Sequence, residues 1–177
     1  MTTPARRRLT GLAIAAAVAG LDRLVKWLMV NRLDLRETRV VEILPFFDLR
    51  WTENYGVSLG LLTAESMEMR WLLVALTASI ALAVCVWMLR EKAMADVVAL
   101  ALVLGGALGN IYDRATIGFV IDYADLHFGE FRPFLIFNIA DAAITFGVLI
   151  ILARSLLSRE KPPEAEAKPA AETAPES

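Results

Sequence analysis

The chain predicts a membrane all-α fold: a bundle of four transmembrane helices with a small extramembrane β platform and an external loop between helices three and four. Three observations lead there. Of its 177 residues, 57% are hydrophobic and the mean hydropathy is +0.54, well above an ordinary soluble domain. The apolar residues fall in long runs, as a polytopic membrane protein requires. The polar residues inside those runs cluster between 105 and 145, in GGALGNIYDR (Gly105 to Arg114), GFVIDYAD (Gly118 to Asp125) and FNIADAAIT (Phe137 to Thr145).

Residues 1–8, with Arg6, Arg7 and Arg8, form a short cytoplasmic N-terminus. Leu9 to Val30 is long enough to span a bilayer at ~1.5 Å per residue. The basic start and Ala17-Val18-Ala19 also resemble a cleavable signal peptide. Apolar residues resume after Lys26, however, and Asp22, Arg23 and Lys26 lie within the run, which favours a retained helix with a polar face at its far end. Asp22 and Lys26 are spaced to pair on that face.

Residues 31–70 mix charges with β-favouring side chains. Thr38 to Trp51 reads as one or two strands about a turn at Pro45, and NYGVSLG (Asn54 to Gly60) follows. This is the expected platform resting on the bilayer, with Trp51 and Tyr55 suited to the interface. Further spans are expected at 71–89 and 95–112, the latter with a small-residue face from Gly105, Gly106 and Gly109. An external loop over 115–132 and a fourth span over 133–157 complete the 9–157 membrane domain. Residues 158–177, rich in Ala, Pro, Glu and Lys, read as a disordered cytoplasmic tail.

Basic residues near the membrane mark the cytoplasmic side. Arg6 to Arg8, Arg90 with Lys92, and Arg154, Arg159 with Lys161 share one side if there are four spans. Arg32, Arg36, Arg39 and Arg50 lie opposite, in a longer loop where acids interleave. Both termini are therefore expected inside and both larger loops outside.

The net charge of -2 gives no basic balance for nucleic acid. Cys85 and His127 are single, so an intramolecular disulfide is excluded. Zinc binding and Ser/His or Cys/His catalysis are poorly supported, and no metal or cofactor is expected. Carboxylates remain. On this topology Asp113, Asp122 and Asp141 lie near the outward helix ends. Two carboxyls in one site can share a proton, one taking a proton from water while the other protonates a peptide carbonyl. Each aspartate taken singly also reads as a structural ion pair or helix cap, and helical periodicity alone does not select two members from three.

The segments DRLVK (Asp22 to Lys26), NYGVSLG, GGALGNIYDR, GFVIDY and FNIADAAIT, in this order, closely resemble the lipoprotein signal peptidase (signal peptidase II) family over about residues 10–157. The resemblance implies a bacterial inner-membrane aspartyl endopeptidase that cuts the signal peptide from diacylglyceryl-modified prolipoproteins, before the lipid-modified cysteine. It implies globomycin-type inhibition, contact with membrane lipid, and a monomer with its site toward the outer leaflet. By motif it makes Asp122 and Asp141 catalytic. Asn110, Asp113, Arg114 and Asn138 become supporting or substrate-holding residues, Asn54 and Gly56 part of an external cradle, and Asp22 and Lys26 a polar pair structural or near the site. Asp125 and His127 match no motif and read as loop residues. Val25, Leu59 and Tyr123 depart from the family's usual residues, conservatively for packing. A small transporter or proton channel and a noncatalytic scaffold are the competing readings. Polar groups clustered at one end count against the first, and two intact aspartates against the second.

Overall fold

The computed structural model describes residues 3–56 and 67–157. Helix α1 (Pro4–Asn31) is followed by a single turn, α2 (Leu35–Thr38), then strands β1 (Val40–Leu44) and β2 (Phe47–Asn54). Helices α3 (Met67–Arg90) and α4 (Met94–Thr116), strand β3 (Val120–Leu126) and helix α5 (Ile139–Leu157) complete the order. Among the described residues, α3, α4 and α5 are long and apolar enough to cross a membrane. Helix α1 has the length, 28 residues, but carries charges toward both ends.

Helix α4 is the central element, packed against α1, α3 and α5. Its glycines make that possible. A Cβ on Gly105 would lie 2.6 Å from the Ala15 carbonyl oxygen, and one on Gly109 would lie 2.6 Å from Asp22 Oδ2. Helix backbones can approach this closely only where no side chain intervenes. The glycine face thus serves packing. An apolar core of Ala15, Ala81, Met88, Val97, Leu100, Ala101 and Leu104 fills the α1–α3–α4 contact. At the opposite end from the site, Arg154 of α5 pairs with Asp96 of α4 at 2.6 Å.

The platform is a three-stranded antiparallel sheet in the order β1-β2-β3. The hairpin over Pro45 forms as expected, with Val41 opposite Leu49. The segment expected as an external loop over 115–132 instead contributes β3, which pairs Thr52 with Asp122 and Asn54 with Val120. Asp125 is therefore a strand residue, fully buried, its Oδ2 bonded by Arg50 Nε at 2.9 Å and Arg132 Nε at 3.3 Å. His127 follows the strand directly, with Nε2 3.1 Å from Asp48 Oδ2. Trp51, expected at an interface, is largely enclosed by the protein itself. It is buried in a second core with Leu35, Ile121 and Tyr123, in edge contact with Phe119, whereas Tyr55 is exposed. Val25 packs partly buried against this core, so two of the three family departures, Val25 and Tyr123, are packing positions. Leu59 and the rest of NYGVSLG after Gly56 lie outside the described residues, as do residues 158–177.

The last helix starts later than expected, at Ile139 rather than Pro133. Phe137 instead pairs with Ala124, its N–H donating to the Ala124 carbonyl at 3.1 Å. Asn138 then caps the helix. Its Oδ1 accepts from Asp141 N at 2.9 Å, while Asp141 Oδ2 accepts from Asn138 N at 3.2 Å. This reciprocal arrangement satisfies two orphan donors at the helix start. Asn138 and Asp141 thus meet as cap partners rather than as neighbours on one face of a continuing helix.

Candidate functional site

Four elements bring the polar residues together. The last two turns of α4 supply Asn110, Asp113 and Arg114. Strand β3 supplies Asp122, the start of α5 supplies Asn138 and Asp141, and the end of β2 supplies Asn54. Asn138 is the hub. Its Nδ2 donates to Asp122 Oδ1 at 2.6 Å, with Asn110 Oδ1 at 3.3 Å and the Ile121 carbonyl at 3.2 Å also in range. Its cap bonds hold Asp141. One asparagine, itself 1% exposed, therefore ties both carboxyls in place.

Each carboxyl has a second amide. Asn54 Nδ2 donates to Asp122 Oδ2 at 3.0 Å, and Asn110 Nδ2 donates to Asp141 Oδ1 at 2.8 Å. Asn54 is held in turn by its own turn, since its Oδ1 accepts from Gly56 N at 3.0 Å. Gly56 has φ +120, a conformation that L side chains rarely adopt. Asp122 is buried and Asp141 half-buried. Burial pushes the Asp122 carboxyl up to about 6, and the neighbouring Asp141 charge adds to the shift, while the Asn54 and Asn138 bonds oppose it.

Asp113, the third candidate carboxylate, lies in a different set. Lys26 Nζ is 2.8 Å from both Asp113 Oδ2 and Asp22 Oδ2, and all three side chains are buried. Asp22 Oδ1 also accepts from Ala140 N at 3.1 Å, Asp113 Oδ2 from Ile121 N at 3.3 Å, and Asn110 Oδ1 from Lys26 Nζ at 3.4 Å. This ion triad thus grips the backbone next to Asp122 and Asp141 and touches one of the asparagines that holds them. Arg114 is half-buried, within electrostatic reach of Asp141, Asp122 and Asp113, and its Nε has no hydrogen-bond partner among the described residues.

A family model described as signal peptidase (SPase) II matches residues 14–157. The chain belongs to the signal peptidase II family. It is 56% identical over 156 residues to the lipoprotein signal peptidase of Rhizorhabdus wittichii, covering 88% of this chain and 91% of the relative. The Sphingopyxis alaskensis lipoprotein signal peptidase is 52% identical, with 90% and 92% covered. A bacterial membrane enzyme solved in meso at 2.3 Å superposes with a TM-score of 0.72 at 28% identity, covering 90% of this chain and 94% of that one. The chain is therefore a multi-pass membrane protease, and the transporter and scaffold readings fall.

Two features of the site were not anticipated. One is the reciprocal box with Asn138, where the sequence offered a helix cap only as an alternative for each aspartate taken singly, although Asn138-x-x-Asp141 carries its signature in plain sequence. The other is Arg70, whose Nε and Nη2 bond the Arg114 and Ala115 carbonyls at 2.7 and 2.6 Å. It closes the end of α4 just where Arg114 must be held, and nothing in the sequence around it signals that role.

Proposed function

We propose that Asp122 and Asp141 are the catalytic dyad of a membrane aspartyl endopeptidase that removes signal peptides from diacylglyceryl-modified prolipoproteins, cleaving before the lipid-modified cysteine. The single observation that carries this reading is the Asn138 hub, which places two carboxyls in one site while Asn54 and Asn110 fix their outer oxygens. The raised Asp122 carboxyl suits a pair that holds one proton between them. The ionised member takes a proton from water as it attacks the scissile carbonyl. The protonated member gives its proton to the carbonyl oxygen, and collapse of the tetrahedral intermediate returns a proton to the leaving amine. Arg114 brings an uncommitted guanidinium edge to this face, suited to a substrate carbonyl or to developing negative charge. Asn54 and Gly56 form the near wall of a cradle for the polypeptide, and crosslinks from substrate to residues 50–60 are expected. Asp22, Lys26 and Asp113 hold the frame.

The domain reading is four spans, α1 included, with both termini in the cytoplasm, a cytoplasmic tail over 158–177, and the dyad toward the outer leaflet. There the scissile bond can be met while the diacylglyceryl chains stay in lipid. The enzyme acts as a monomer and is inhibited by globomycin-type compounds. The test is cleavage of a diacylglyceryl-modified prolipoprotein by purified protein, comparing wild type with Asp122→Asn and Asp141→Asn. Asn keeps the shape and removes the ionisable group. Each variant is expected to lose at least about a thousandfold in kcat while remaining folded. Retained activity in Asp122→Asn would remove it from the dyad and make Asp113 the next candidate.

A further inference from the structure

Three cavities linked by shared lining residues form a seam along α1, against α3 and α4 at one end and against Trp51 and Ile121 of the sheet at the other. One, about 470 Å³, is lined by Leu12, Ala15 and Ala16 of α1 together with Ala81 and Cys85 of α3 and Leu108 of α4. The next, about 380 Å³, shares Leu108 and runs past Ala19 and Gly20 to Arg23 and Tyr112. The last, about 390 Å³, shares Arg23 and opens between Trp27, Asn31, Arg36, Trp51 and Phe119. The track is thus apolar at one end, basic and aromatic at the other. From Leu12 to Arg23 is eleven residues of helix, or about 16 Å, close to half of a ~30 Å hydrocarbon core.

The guanidinium groups at the basic end are weakly engaged. Arg23 is 49% exposed and, among the described residues, lies 3.8 Å from Asp113 Oδ1 and 4.6 Å from the centre of the Tyr112 ring. Arg36 is 60% exposed and lies 4.0 Å from Glu53 Oε1. Glu53 is already committed to the Trp51 Nε1 and Tyr55 hydroxyl donors, at 3.2 and 2.6 Å. Both arginines therefore keep N–H groups for an anion, and a phosphate is the anion that a guanidinium pair recognises best. Trp27 beside them is the side chain expected at headgroup level.

We propose that this seam is a binding site for one bilayer phospholipid, with the phosphodiester on Arg23 and Arg36 and one acyl chain in the slot past Gly20 and Ala16. The site is separate from the dyad cleft, but its wall includes Asp22, which bonds the α5 backbone at Ala140. An occupying lipid thus bears on the element that carries Asp141. The phosphate distinguishes this lipid from the enzyme's own substrate, whose diacylglyceryl group has none.

The experiment is equilibrium binding to the full-length protein in micelles, read by native mass spectrometry and by the shift in Tm. The probes are dioctanoyl-phosphatidylglycerol, dioctanoylglycerol and inorganic phosphate. Only the phospholipid is expected to bind at low concentration. Arg36→Gln and Arg23→Gln should each weaken it about tenfold, the loss of one charge-assisted bond. Gly20→Leu should weaken it too by filling the slot, and because a Cβ there meets nothing within 4 Å this variant keeps the fold. Equal binding of dioctanoylglycerol would overturn the phosphate assignment. Binding of inorganic phosphate as tight as that of the phospholipid would reduce the site to an anion pocket, and affinities unchanged in all three variants would place the lipid elsewhere.

Discussion

Asp122 occupies a strand that is buried along nearly its whole length, and that placement sets its chemistry. Burial raises the carboxyl to about 6 from an ordinary value near 4. A dyad that works with one shared proton loses activity on the alkaline side as that proton leaves. The Asn54 Nδ2 bond stabilises the ionised form and so pulls the carboxyl down. Asn54→Leu removes that pull, so the alkaline inflection of kcat/KM should move to higher pH, read from a pH–rate profile. An inflection moving downward would mean that Asn54 acts on some other group. Asn138→Ala should do more harm, because it removes the cap and the Asp122 tether together, leaving Asp141 only the bond from the residue-138 backbone N–H and the one from Asn110. A stability loss of about 1–2 kcal/mol from the cap should accompany a fall in kcat larger than the change in KM, read by thermal denaturation and steady-state kinetics. Residue types were legible at this scale. The motifs singled out Asn54, Asn110 and Asn138, but which asparagine bridges two carboxyls depends on β3 and α5 meeting in space, and no spacing in the chain encodes that.

The buried triad of Asp22, Lys26 and Asp113 does its work between elements, joining α1 to α4 and, through Ala140 and Ile121, to α5 and β3. Lys26→Met would leave Asp22 buried without its cation and Asp113 with only the more distant Arg23, at 3.8 Å. Breaking one side of such a group costs roughly 3–5 kcal/mol, a loss measurable by denaturant titration in micelles. Adding Asp22→Asn and Asp113→Asn to Lys26→Met should recover much of it, and a failure to recover would mean that the lysine acts by packing alone. Hydrophobic length announced the helices, and the hairpin announced itself through its β-branched runs about Pro45. The third strand was less visible. VIDYADL spaces its two acids three residues apart, off the two-residue period of a half-buried strand, yet both acids are buried because Asn54, Asn138, Arg50 and Arg132 meet them. The late start of α5 has a similar origin. Pro133 to Phe137 is apolar enough to continue a span, and only the Ala124 to Phe137 bridge shows why it does not.

For the whole molecule, the arrangement of charge and helix ends makes a topological claim that the fold alone leaves open. Asn110, Asp122, Asn138 and Asp141 gather where α4 ends and α5 begins, while Arg154 and Asp96 meet at the other end of the same two helices. Whichever side receives the sheet must also receive the substrate's scissile bond. With Arg6 to Arg8, Arg90 with Lys92, and Arg154 on one side, the positive residues near the membrane mark that side as cytoplasmic, provided α1 spans with the other three. The native Cys85 sits within α3, so a Cys85→Ser background leaves no thiol. Single cysteines then report sidedness. In intact cells, Glu130→Cys, exposed in the loop after β3, should react with a membrane-impermeant maleimide. Arg90→Cys, exposed at the end of α3, should react only after the membrane is opened. Labelling at both positions in intact cells would break the four-span reading. Labelling of Arg90→Cys alone would invert it, placing the dyad at the cytoplasmic face, where a precursor already carried across the membrane could not be cut.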